Sequence, residues 1–171
     1  ELNVSSNDND IYHGPASHSN IYNAMILADR LGFKKAYLIN YDYHLKNNEP
    51  FDHISQILNK HTLYSKKILS GGGDVPQMKT AFMAVNPKTF IERTKLIKNR
   101  EQWDNLQYEL NAPSNGLEAL WYQMFKDDPK AYWEDNNKFD NIMEQAVEHK
   151  NFSQVEYFTV LPVSGDSENL T

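Results

Sequence analysis

The feature that most constrains the fold is a short apolar run, Ala36–Ile39, with polar residues on both sides. Such an unbroken run is typical of a strand buried on both faces, as the inner strands of parallel sheets are. Ahead of it, apolar residues recur at helical spacing and predict a helix over residues 20–31, with Ser19 as its cap and Gly32 just past its end. Helix, glycine and buried strand in succession form half of a βαβ unit. The sequence therefore predicts an α/β fold.

Polar residues follow this run abruptly, and Asn40, Asp42 and His44 alternate along the chain. Alternate residues of an extended chain point to one side, and ligands of open α/β sheets bind at the carboxyl ends of the strands. A carboxylate and an imidazole on one side can hold a divalent cation, since Asp favours Mg²⁺ or Mn²⁺ and His tolerates Mn²⁺. The pattern predicts a metal site at Asp42 and His44. The alternative is that Asp42 starts a turn and His44 is a surface residue.

Composition narrows the classes of protein to consider. The 171 residues suit one domain over residues 1–171, and the net charge of −6 argues against a nucleic-acid partner, because phosphate binding relies on clustered Lys and Arg. No apolar run reaches the length of a transmembrane segment, and we find no signal peptide pattern. With no cysteine there is neither a disulfide nor a thiolate metal site, which fits a cytoplasmic protein.

The rest of the chain continues the alternation of helix and strand. Residues 1–19 are polar and predict a loop, the three glycines at 71–73 predict another, and nothing resembles a linker between two domains. Helices are predicted after Pro50 and over residues 87–97, 117–125 and 139–147, and strands over residues 80–85 and 155–163.

The order of elements around Asp42 resembles that of glycosyltransferases of the GT-A fold, in particular the family 2-like enzymes. These carry a short acidic motif, usually Asp-x-Asp, at the end of a hydrophobic strand. Here the order is Ser17-His18-Ser19-Asn20, the helix, Gly32-Phe33, the strand and then Asn40-Tyr41-Asp42. The resemblance implies a mixed sheet with flanking helices. About forty residues precede Asp42, so part of the family's N-terminal nucleotide-binding unit is expected to be missing, in a fragment or a shortened, truncated Rossmann-like domain.

The resemblance also implies roles for individual residues. Asp42 inherits the binding of a Mn²⁺ or Mg²⁺ ion that bridges the donor diphosphate, and His44 or water would complete the metal shell. Asn40 stands where the family's first acid often contacts the donor ribose, and Asn can make a hydrogen bond there but brings no charge. His18 and Asn20 are candidates for donor contacts. Their alternative is a role as helix-entry residues.

Two sites offer a carboxylate as the general base that an inverting enzyme needs. Glu118 opens a predicted helix in the region where the family places its acid, and the alternative is a capping-box role with Asn115 as the cap. Glu134 and Asp135 resemble the family's acidic pair beside an aromatic residue, and the alternative is that Asp135 caps the last helix. The sequence does not decide which of the two sites supplies the general base.

The function that the resemblance implies is metal-dependent transfer of a sugar from a UDP- or GDP-sugar donor to a glycan hydroxyl, in surface polysaccharide biosynthesis. A non-catalytic GT-A-like module that binds carbohydrate or a partner protein is the second hypothesis. An unrelated metal-dependent phosphoesterase ranks last, because it would need more metal ligands clustered in sequence than we find.

Overall fold

The computed structural model describes residues 13–40, 43–69, 75–110 and 116–149, without the side chains of His13 and His149. Its helices are α1 His13–Arg30, α2 Glu49–Ile57, α3 Pro87–Thr94, α4 Arg100–Glu109, α5 Leu117–Phe125 and α6 Asn136–Ala146. Its strands are β1 Ala36–Ile39, β2 Tyr43–Leu45, β3 Leu63–Ser65, β4 Lys67–Leu69, β5 Pro76–Met78, β6 Phe82–Val85, β7 Ala131–Trp133 and β8 Val147–His149. Within these ranges, no helix is long and apolar enough to cross a membrane.

The central sheet has four strands in the order β1-β6-β3-β7. Strand β6 is antiparallel to both of its neighbours, β1 and β3, whereas β3 and β7 are parallel. Strands β1, β3 and β7 therefore run in the same direction, and their carboxyl ends meet at one end of the sheet. Two small antiparallel ribbons complete the strand pairing, β2 with β8 and β4 with β5. The predicted α/β class is confirmed, with a mixed rather than a parallel sheet.

Helices cover both faces of this sheet. The side chains of β6 alternate between two hydrophobic clusters, one on each face. Met83 and Val85 pack on one face with residues of α1, α3 and α5, including Met25, Phe90 and Trp121. Phe82 and Ala84 pack on the other face with residues of α2 and α6. All four side chains of β6 are buried. The predicted buried strand over residues 80–85 is thus confirmed for Phe82–Val85, which lies between two helical layers, whereas Thr80 and Ala81 precede the strand.

The prediction that Ala36–Ile39 is an inner strand of a parallel sheet is wrong. Strand β1 is an edge strand of the four-stranded sheet, its neighbour β6 is antiparallel to it, and its four residues are only half-buried. The apolar run is explained by its contacts, since Ala36 and Leu38 pack on one cluster and Tyr37 and Ile39 on the other. An apolar run therefore indicates a strand between two helical layers, wherever that strand lies in the sheet.

Helix α1 begins earlier than its predicted start. It runs from His13, so residues 13–19 are helical rather than a loop, and Ser19 lies buried inside the helix instead of capping it. Gly32 follows the helix with a φ of +81°, a left-handed conformation that glycine adopts without steric cost, as expected. The predicted strand over residues 155–163 and the glycine loop at 71–73 lie outside the described residues.

Candidate functional site

Polar residues gather at the end of the sheet where β1, β3 and β7 finish. Asn40 follows β1, Lys66 follows β3 and Glu134 follows β7. Because β6 runs the opposite way, the residues that lead into it, Thr80 and Ala81, lie at the same end. The backbone N–H of Asn40 donates to the carbonyl of Ala81 at 2.9 Å, and this hydrogen bond links the residue after β1 to the residue before β6. This is the end at which ligands of open α/β sheets bind.

A cleft of about 270 Å³ opens beside this end of the sheet. The β4–β5 ribbon supplies one part of its lining and the first turn of α5 another, and α5 packs closely on β5. Its lining residues are Asn40, Ile68, Gln77, Lys79, Thr80, Ala81 and Glu118. The cleft therefore brings together two residues that the sequence singled out separately, Asn40 for the donor and Glu118 for catalysis.

Glu118 is held in this cleft by one specific hydrogen bond. It lies in the first turn of α5, where a carboxylate interacts favourably with the helix dipole. The hydroxyl Oγ1 of Thr80 donates to Oε1 of Glu118 at 2.8 Å. The helix N-cap is Gly116, which makes no side-chain hydrogen bond, and Asn115 lies outside the described residues. The hydrogen-bond partner of Glu118 is therefore Thr80, which lies between β5 and β6, and not the N-cap residue of α5.

The rival pair, Glu134 and Asp135, is placed differently. The Glu134 side chain is only 3% exposed, and its Oε2 lies 3.3 Å from Nζ of Lys138. Burial, and then the charge of Glu134, raise the pKa of the neighbouring Tyr64 hydroxyl. Asp135 caps α6 by accepting hydrogen bonds from two backbone N–H groups, at 3.0 and 3.2 Å. Among the described residues, neither member of the pair lines the Glu118 cleft.

His18 and Asn20 both lie on α1, away from the cleft lining. His18 is fully buried, with its ring near those of Tyr22, Phe90 and Trp103. Its Nδ1 accepts a hydrogen bond from Nε1 of Trp121 at 3.2 Å. Burial lowers the pKa of the His18 imidazole from 6.5 to about 4, so the ring is neutral near pH 7. Asn20 is exposed, and a contact of either residue with a donor stays a prediction.

The predicted metal site is described only in part. His44 is exposed on β2, opposite Glu148 of β8, while Asp42 lies outside the described residues. Within the described ranges, no three groups among the His, Asp and Glu side chains converge as metal ligands. These residues alone do not fit a metal centre, and the role of Asp42 as a metal ligand stays a prediction.

Five residues of the cleft lining were not predicted as site residues from the sequence, namely Ile68, Gln77, Lys79, Thr80 and Ala81. Ile68 and Gln77 lie on the β4–β5 ribbon, and for Lys79, Thr80 and Ala81 the available signal is their position directly before the buried strand β6. That position is informative only if the strand is antiparallel to its neighbours, because the amino end of β6 then lies beside the carboxyl ends of β1 and β3. Strand direction inside a mixed sheet is not encoded in local hydropathy.

Comparisons with protein-family models, with curated proteins and with solved structures gave no match to this chain.

Proposed function

We propose that this chain transfers a sugar from a nucleotide-sugar to a glycan hydroxyl, with the Glu118 cleft as its active site. The observation that supports this function best is that Glu118 and Asn40 face one cleft at the carboxyl end of β1. In sequence, Asn40 is two residues from Asp42, the proposed ligand of a Mn²⁺ or Mg²⁺ ion. A donor near Asn40 and an acceptor hydroxyl near Glu118 would then meet in the same space.

Glu118 would act as the general base. Its carboxylate takes the proton of the acceptor hydroxyl while the hydroxyl oxygen forms a bond to the anomeric carbon of the donor sugar. The bond from that carbon to the diphosphate oxygen breaks, and its electron pair leaves with the nucleoside diphosphate. A bound divalent cation would stabilise the charge of that leaving group. The hydrogen bond from Thr80 leaves Oε2 of Glu118 as the oxygen that would accept the proton.

Glu118 fits the role of base better than Glu134. A base must reach the proton that it removes, and Glu118 lines an open cleft whereas Glu134 is buried and ion-paired to Lys138. Asp135 has its carboxylate engaged in capping α6. The proposal therefore rests on Glu118, whereas Glu134 is ion-paired to Lys138 of α6 and Asp135 caps that helix.

The first experiment measures binding of UDP, and then of GDP, by calorimetric titration with and without Mn²⁺. Asp42→Ala is expected to abolish the Mn²⁺-dependent part of the binding to wild type. The second experiment follows sugar transfer to a panel of glycan acceptors. Glu118→Gln should lower kcat by about a hundredfold, the contribution of a positioned base, with nucleotide affinity unchanged.

Glu101→Gln is the matched control for this second experiment. Glu101 also occupies the first turn of a helix, α4, but it is exposed and lies outside the cleft lining. Equal activity of Glu118→Gln and wild type would refute the assignment of the base. Donor binding without any transfer would favour the non-catalytic binding module instead.

A further inference from the structure

Two lysines at the end of the sheet where β1, β3 and β7 finish, Lys66 and Lys79, differ in their interaction partners. Lys66 is buried, its Nζ forms an ion pair with Oδ1 of Asp140, and it lies 5.2 Å from the centroid of the Phe139 ring. Lys79 lies in the cleft lining, and within the described residues its Nζ takes part in no ion pair or hydrogen bond. The charge of Lys66 is therefore used within the fold, whereas Lys79 lines the cleft and its charge has no counter-ion among the described residues.

The backbone of Lys79 is held by two hydrogen bonds. Its N–H donates to the carbonyl of Lys66 at 3.0 Å, and its carbonyl accepts from Oγ of Ser65 at 3.0 Å. Both contacts tie Lys79 to the buried end of β3. A half-buried lysine that starts from an anchored backbone can place its ammonium in the cleft with little loss of backbone freedom.

The other residues of the cleft lining add polar and apolar contacts to the two charged side chains, Lys79 and Glu118. Asn40 and Gln77 offer amide donors, Ile68 an apolar contact and Glu118 a carboxylate. A ligand with a negative group is attracted by Lys79 and repelled by Glu118, so it would lie with its anion at Lys79 and its hydroxyls toward Glu118. The protein as a whole carries a net charge of −6, so the cation must act locally to hold an anion.

We propose that Lys79 binds an anionic group of the substrate in the Glu118 cleft. The shared chemistry is a phosphate or carboxylate oxygen, and it has two possible sources: the diphosphate of a nucleotide donor or the carboxylate of a hexuronic acid acceptor. The choice between these two sources rests on the proposed function. The binding of the anion itself does not depend on it.

The test is calorimetric titration of UDP and of glucuronic acid, in Mn²⁺-containing buffer at low ionic strength, where charge interactions are screened least. Uridine and glucose serve as neutral counterparts of the two ligands. The variants are Lys79→Gln, Lys79→Arg and, as a charge-matched control, Lys98→Gln at an exposed position outside the cleft lining. Thermal unfolding of each variant checks that the fold is kept.

We expect Lys79→Gln to weaken the binding of one anionic ligand by about tenfold or more, the effect of losing a charged hydrogen-bond donor, while Lys79→Arg retains most of it. A loss confined to UDP identifies the diphosphate as the bound group, and a loss confined to glucuronic acid identifies the acceptor. The inference is overturned if wild type binds neither anion, or if Lys79→Gln binds as well as Lys98→Gln. Lys79-dependent binding without sugar transfer would retain this inference and refute the proposed function.

Discussion

The burial of His18 makes the stability of this protein depend on pH in a calculable way. The folded-state pKa of His18 is about 4, against 6.5 for the free side chain, because the imidazole is enclosed by aromatic rings. The folded pKa is lowered, so the unfolded chain takes up a proton first as the pH falls. The stabilising contribution is therefore fully present above pH 6.5 and is lost as the pH falls from 6.5 to about 4.

The size of the effect follows from the two pKa values. A pKa difference of one unit corresponds to 1.36 kcal/mol, and integration between pH 7 and pH 5 gives a loss of about 2 kcal/mol in the free energy of unfolding from His18 alone. Carboxylates also affect acid stability, so the measurement needs a variant that removes only the titration. His18→Gln keeps an acceptor for the Trp121 N–H and does not titrate.

The assay is urea unfolding of wild type and His18→Gln at pH 7 and pH 5, followed by tryptophan fluorescence. His18→Gln is expected to be less stable at pH 7, because its shape does not match the aromatic site, but to lose about 2 kcal/mol less than wild type on going to pH 5. Equal losses in both proteins would show that His18 does not become protonated on unfolding in this range, and would refute the reasoning.

Three further predictions concern the scaffold, and each is checked by urea unfolding at pH 7. Phe90→Ala should lower the free energy of unfolding by about 3–5 kcal/mol, since the ring is fully buried with Trp121 at 4.9 Å between centroids, and a loss under 1 kcal/mol would contradict this packing. Asp135→Ala should cost about 1 kcal/mol by removing the α6 cap, whereas Asp135→Asn should cost less. Gly32→Ala should cost roughly 1–2 kcal/mol from its φ of +81° alone, because no neighbouring atom of the described residues lies within 4 Å of a Cβ there, and Gly32→Asn should cost less.

Much of the local structure could be predicted from hydropathy. The helices around Leu120 and Phe139, the buried strand at Met83 and the glycine after α1 follow directly from apolar spacing and backbone preference. The start of α1 could not be predicted in this way. Its buried positions in the first turns are Gly14, Pro15, His18 and Ser19, and hydropathy scales do not rank these residue types as strongly apolar.

Individual residues of the candidate site were predicted from the sequence, but their clustering in one cleft was not. Asn40 and Glu118 were each singled out from their local context, but they are 78 positions apart in sequence, and the packing of α5 on β5 brings them to one cleft. Lys79 and Thr80 were not singled out, because their place at this end of the sheet depends on the direction of β6. Burial was the other missing quantity, since it separates Glu118 from Glu134, two carboxylates with equally suggestive neighbours.

The strand order also sets when the cleft can form during folding. Strand β3 pairs with β7 across more than sixty residues, and β1 pairs with β6 across more than forty. Such non-local parallel and antiparallel contacts close large loops before they stabilise the chain, and this slows folding. A chain emerging from the ribosome cannot complete the sheet until β7 has been made. The lining of the cleft lies between Asn40 and Glu118 and includes no residue of β7, so ligand binding there would report on the pairing of β1 with β6 and on the packing of α5 on β5 during refolding.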